Sequence, residues 1–135
     1  TLGGMLPLFF ISFAYGPEVG MLAGFAYSLM NLVMAPYILH PVQVLFDYPL
    51  PFMALGLAGC FPRHHMAGIT AAVAVRLFFH FLSGVVFFGS YAPAGTSIYL
   101  YSFVTNLTYL LPNLVICLVF YRLLPVERFL SLMKR

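Results

Sequence analysis

Three carboxylates occur in this 135-residue sequence, Glu18, Asp47 and Glu127. Asp47 lies inside an apolar stretch, flanked by Tyr48, Pro49 and Pro51. A carboxylate at membrane depth is costly and is kept where it faces a cavity, a partner charge or a ligand. The step Phe46-Asp47-Tyr48-Pro49 therefore reads first as a ligand contact. Further on, Arg76, His80, Gly84 and Phe88 recur at intervals of four and share one face of a helix. Tyr101 and Asn106 are five apart, about 140° around a regular helix, so presenting both needs a broad or bent face. An arginine in hydrocarbon needs a counter-charge. Asp47 is the carboxylate within its reach, because Glu18 falls on a turn and Glu127 in the tail, so an Arg76 to Asp47 pair, direct or through water, is expected. Gly84 would leave room for a flat ligand against the helix backbone, with His80 one turn below and Phe88 one turn above. Binding, rather than covalent chemistry, is what this set suits.

Each residue also has a plainer role. Asp47 with Arg76 could be a structural ion pair that fixes helix packing. His80 alone fits a hydrogen-bonded core histidine, and Gly84 alone a close approach of two membrane helices. Phe88 and Tyr101 belong to a chain that is 18% aromatic and could be core or interfacial belt. Asn106-Leu107-Thr108 has the form of a glycosylation acceptor but falls inside an apolar span, and His64 and His65 beside Arg63 read as a solvated loop.

The elements that must position these groups are membrane helices. Hydrophobic residues make up 63% of the chain and charged ones 7%, far from the roughly one-quarter charged content of soluble domains; the mean hydropathy is +1.02. The net charge of +3 comes from scattered residues and forms no basic surface suited to nucleic acid. Cys60 and Cys117 are isolated in apolar runs, without zinc-site spacing, and read as small core residues. Apolar runs define five segments of one transmembrane domain, residues 1–135: about Thr1 to Tyr15, Val19 to Pro36, Gln43 to Phe61, Met66 to Phe88 and Ser97 to Leu124. The first would rise only about 22 Å against a hydrocarbon core of about 30 Å, and it reads as an incomplete span of a chain truncated at its N-terminus. Pro17, Pro41, Pro62 and Pro93 mark turns, Pro49 and Pro51 should kink the third span or delay its regular start, and Pro112 should bend the last. Irregular backbone at membrane depth is tolerated where it lines a cavity.

Cytoplasmic loops are enriched in Lys and Arg. The segment Phe61 to His65 and the tail from Arg122 to Arg135 both read as cytoplasmic, and the two crossings between them make these assignments agree. The connections Tyr37 to Val42 and Gly89 to Thr96 then lie outside. Asp47 and Tyr48, then His80, Gly84 and Phe88, then Tyr101 and Asn106 all fall toward the outer ends of three different spans. Their common depth is the basis for a binding pocket open to the outside.

Three blocks in order, Gln43-Val44-Leu45-Phe46-Asp47-Tyr48, the run from Arg76 through His80 and Gly84 to Phe88, and Tyr101-Ser102-Phe103-Val104-Thr105-Asn106, resemble the thiamine-specific S component of energy-coupling factor transporters. The resemblance implies an all-α, polytopic bundle in which the five segments correspond to helices two to six of a six-helix fold. It implies a binding subunit in the bacterial cell membrane, multi-pass with a cytoplasmic C-terminus, that captures thiamine or a close relative outside. A transmembrane coupling subunit and two ATPase subunits would drive its release inside. Carried over residue by residue, Asp47, Tyr101 and Asn106 would supply polar contacts, Tyr48 a hydroxyl near the ligand tail, and His80 with Phe88 flat surfaces for its rings. Arg76 would be the supporting partner of the ion pair, and Gly84 belongs to the His-Gly-aromatic series that builds the vitamin pocket. Here Asp47 stands where the family has Glu, and Phe88 where it has Trp; the chain has no Trp at all. On this resemblance the family's first helix, the one it docks on its coupling subunit, would fall outside these five segments. No catalytic residue, metal ligand or cofactor is assigned. The alternatives are an intramembrane enzyme, for which His80 and Asp47 offer no paired ligands or nucleophile, and an assembly subunit built around a structural Asp–Arg pair.

Overall fold

A computed structural model describes residues 4–134 of the chain. Every regular element among them is helical: α1 Leu6–Tyr15, α2 Pro17–Met34, α3 Pro41–Asp47, α4 Pro49–Ala54, α5 His65–Phe87, α6 Ile98–Leu123 and α7 Val126–Met133, with 3-10 segments at Leu55–Cys60 and Gly89–Tyr91. Of the first expected segment, residues 1–3 lie outside the described residues, as does Arg135 of the tail.

Proline sets where the helices begin. Pro17, Pro41 and Pro49 each occupy the first position of a helix, where the missing N–H costs nothing and the fixed φ suits the turn. The tight corner between α1 and α2 is made by Gly16 at φ 97°, a conformation that glycine adopts without a Cβ clash. At α3 the His40 imidazole accepts the Val42 N–H at 3.1 Å and caps the helix. The third span is broken where expected, with Tyr48 at φ −118°, ψ −80° between α3 and α4, since a residue before proline is pushed out of the helical region. Its last six residues are 3-10 rather than α, which the apolar pattern alone did not foretell. Pro112 is accommodated inside a continuous α6.

Three segments are long and apolar enough to cross a membrane: Pro41–Cys60, His65–Phe87 and Ile98–Leu123. α2, also expected to cross, has 18 residues but carries Glu18, Ser28 and Asn31 along its length. The core is a column of Phe9, Leu55, Ile69, Ala72, Leu110 and Cys117 between α1, the 3-10 end of the third span, α5 and α6. Outside it, Leu22, Val33, Met34, Val86 and Leu123 are each more than 60% exposed, the surface a bilayer would cover. α1, α2 and the third span approach at backbone distance through small residues. A Cβ on Gly20 would sit 2.6 Å from the Ser12 side chain, and the Ser12 hydroxyl donates to the Gly56 carbonyl.

Two expectations are corrected here. Cys60 is exposed, and Cys117 alone is buried. His65 is not a solvated loop residue. It opens α5, stacks on Phe13 with centroids 4.0 Å apart and hydrogen-bonds the Tyr121 hydroxyl at 2.6 Å, joining α1, α5 and α6. The tail after α6 folds as α7, whose Val126 and Leu130 are buried and whose Phe129 meets Phe10 of α1.

Candidate functional site

α3, α5 and α6 pack side by side, and the break after Asp47 aims its carboxylate at α5. The His80 Nδ1 lies 3.3 Å from Asp47 Oδ1, and Arg76 Nε donates to His80 Nε2 at 3.2 Å. Because Nε2 accepts, the imidazole proton is on Nδ1 and is given to the carboxylate. Among the described residues the expected Arg76 to Asp47 ion pair is not made directly; His80 lies between them and touches both. The reason is the interval of four: it stacks His80 directly above Arg76 on the α5 face and interposes the ring. Arg76, 4% exposed, is also sandwiched by aromatic faces, 4.7 Å from the Phe52 centroid and 5.8 Å from that of Tyr109, which helps to offset its desolvation.

The other Asp47 oxygen accepts from Gln43 Nε2 at 2.7 Å. Gln43, fully buried, also donates to the Tyr37 carbonyl at 3.1 Å and accepts the Leu39 N–H at 2.9 Å. One carboxylate thereby joins α5 to the connection between α2 and α3. Gln43 was missed in the sequence; its position one turn before Asp47 was the available signal.

On α6, Asn106 Nδ2 donates to the His80 and Ser102 carbonyls at 3.2 and 2.9 Å, and the Ser102 hydroxyl donates to the Phe81 carbonyl at 2.9 Å. The Asn106 carboxamide oxygen has no protein partner among the described residues. Asp47, His80, Gly84, Phe88, Tyr101 and Asn106 line one cavity of about 260 Å³, together with Tyr91, Ser102 and Thr105. Six of the seven residues picked as contacts are therefore brought together. Tyr91, Ser102 and Thr105 were not foreseen: Ser102 and Thr105 follow once Tyr101 and Asn106 are placed on a helix face, whereas Tyr91 sits in an aperiodic turn. Gly84 is in the wall, but the room left by its missing side chain is occupied by the Ser102 hydroxyl, which a Cβ would overlap. It lets α5 and α6 meet rather than admitting a flat ligand to the backbone.

Tyr48 is the seventh, and it faces a neighbouring cavity of about 300 Å³ that shares Asp47, His80 and Asn106 and adds Asn31, Tyr37, Gln43 and Arg76. Its hydroxyl accepts the Tyr37 N–H at 3.0 Å and donates to the Ala35 carbonyl at 3.1 Å. Both of these bonds hold the connection between α2 and α3. Above the cavities Phe88 lies nearly parallel to Tyr37 and to Tyr91, and the Tyr91 hydroxyl contact raises the Tyr37 phenol above its ordinary pKa. Among the described residues no group of three His, Cys, Asp or Glu side chains is placed to hold a metal.

The sequence profile of the thiamine transporter protein family matches residues 1–132. The thiamine transporter ThiT of Bacillus subtilis is 35% identical in an alignment of 130 positions that covers 84% of this chain and 68% of that protein. The thiamine transporter ThiT of Lacticaseibacillus paracasei is 29% identical over 123 positions, covering 76% of this chain and 61% of that protein. Among solved structures, ThiT from Listeria monocytogenes superposes with a TM-score of 0.84 at 24% identity, covering 93% of this chain and 77% of that one. That likeness bears on the fold, a multi-pass membrane helix bundle. With the profile spanning nearly the whole sequence, the chain belongs to the thiamine transporter protein family.

Proposed function

We propose that the protein captures thiamine from outside the cell, as the substrate-binding subunit of an ATP-driven uptake system of the energy-coupling factor type. The observation that carries this reading is the meeting of Asp47, His80, Phe88, Tyr101 and Asn106, from α3, α5 and α6, around one cavity. Thiamine is a thiazolium cation joined to an aminopyrimidine. A carboxylate attracts the cation, aromatic faces stabilise a cationic ring, and the unpaired Asn106 carboxamide oxygen suits an exocyclic amine. In this reading Asp47, Tyr101 and Asn106 make the polar contacts, His80 and Phe88 offer flat surfaces, Gly84 is wall, and Tyr48 shapes the adjoining cavity by fixing the connection above it. Arg76 holds His80 in one tautomer.

The cavity end of α5 and α6 is the outer end, and the basic residues Arg63, Arg122, Arg128 and Lys134 face the cytoplasm, which puts the C-terminus inside. Release to the inside is assigned to partner subunits, a transmembrane coupling protein and two ATPases, on the resemblance to the S component of energy-coupling factor transporters. The relatives named as thiamine transporters support thiamine as the ligand. Protein purified from cells grown with thiamine should release it on denaturation in near-stoichiometric amount by mass spectrometry. Recovery of a chemically unrelated small molecule would overturn the assignment.

A further inference from the structure

Three rings from two connections meet where the two cavities adjoin: Phe88 and Tyr91 line one and Tyr37 the other. Tyr37, between α2 and α3, lies with its centroid 5.8 Å from that of Phe88 and its plane 20° away. Tyr91, in the turn after α5, stands at 5.8 Å and 29° from the same ring. The two tyrosine hydroxyls meet at 3.3 Å. Tyr37 is anchored at both ends of its peptide, since its N–H is held by Tyr48 and its carbonyl by Gln43, which also binds Asp47. Tyr91 is 55% exposed and lines the cavity of Tyr101 and Asn106. Its hydroxyl is partnered, among the described residues, by Tyr37. A ring so open adds little burial to the fold, while its electron-rich face is one that a cationic heteroaromatic ring seeks.

We propose that Tyr91 is a ligand-contacting residue of this site, presenting ring and hydroxyl at the cavity wall, and that Tyr37 is the positioning residue that holds it in register with the Asp47 network. The inference rests on the thiamine reading above and adds to it a wall that neither spacing nor the helical stripes revealed. The Tyr37–Tyr91 contact, already made in this structure, steadies the Tyr91 wall against the bound thiamine, so its loss is felt in the rate of release.

The chain has no tryptophan, so Tyr91→Trp installs a sole indole. Its emission should be quenched by thiamine with a midpoint equal to that of calorimetry on the same variant, while a sole indole at Tyr99→Trp, outside both cavities, stays unquenched. Tyr91→Phe and Tyr37→Phe should each speed thiamine release about 3- to 10-fold. The double variant should release it no faster than either single one, because both remove the same contact. Unchanged Tyr91→Trp emission in protein that binds thiamine would overturn the contact, and additive or absent effects of the two Phe variants would overturn the positioning role. The isotherm of the unmodified protein judges the underlying reading separately. If it is flat, the thiamine assignment fails and takes the contact with it; if it is normal, failure of the variants removes Tyr91 and Tyr37 alone.

Discussion

The partly buried imidazole of His80 organises the charges of this site. Arg76 and Asp47 were recognisable in the sequence as opposite charges in an apolar chain, but the relay between them was not, because spacing along α5 says that His80 stacks on Arg76 without saying which ring nitrogen meets which partner. Replacing the carboxylate leaves the relay without its acceptor of charge. Asp47→Asn should weaken thiamine binding by at least ~10-fold, the effect of on the order of 2 kcal/mol for one partner of a desolvated charged contact; calorimetry that returns the parent affinity would remove Asp47 from the site. Phe88 offers a directional test. Its ring lies against Tyr37 and Tyr91, and if it also stacks on the ligand, Phe88→Trp should hold or improve affinity, since indole has the better cation-binding face. Phe88→Ala should lose about 1 to 3 kcal/mol through the missing contact and the cavity left behind. Should Phe88 only fill space, Trp would overpack it and lower the melting temperature while Ala binds thiamine as the parent does.

Helix boundaries and breaks follow from local rules that a sequence displays openly. The interruption at Tyr48 was legible from Pro49, whereas Pro17 and Pro41, read as turn markers before spans starting at Val19 and Gln43, are themselves the first residues of their helices, where a missing N–H is tolerated. The 3-10 end of the third span and the folding of α7 were not, since both depend on what packs against them: Gly56 must lie against α2, and α7 forms where Val126 and Leu130 find α1 and its neighbours. Gly84 shows how the same residue answers two questions. Its place in the stripe suggested room for a flat ligand; it does line the cavity, but the space beside it is filled by Ser102 of α6. Gly84→Ala should therefore push α5 from α6 at Ser102 and destabilise the protein by about 1 to 3 kcal/mol. Ser102→Gly in the same chain should restore much of the melting temperature. A Gly84→Ala variant as stable as the parent would show that α5 and α6 have slack at this level.

Asp47, His80, Tyr101 and Asn106 lie toward one end of the third span, α5 and α6, and Arg63, Arg122, Arg128 and Lys134 lie at the opposite ends or in the tail. That distribution was readable from position along the chain alone, with Arg76 the cation that stays at the site. What the sequence left open is the Tyr37–Tyr91 contact: both residues lie in connections without periodicity, and only tertiary placement joins them. The orientation is open to a direct check. In a background lacking Cys60 and Cys117, a cysteine at Ser90 should react with an impermeant thiol reagent in intact cells and one at His64 should not; the reverse pattern would turn the cavity to the cytoplasm. The central claim, that this cavity exists to bind thiamine, is tested most directly by titrating the purified, ligand-depleted protein with thiamine in a calorimeter. The account predicts saturable binding of one thiamine per chain, and an isotherm indistinguishable from dilution heat in folded protein would contradict it.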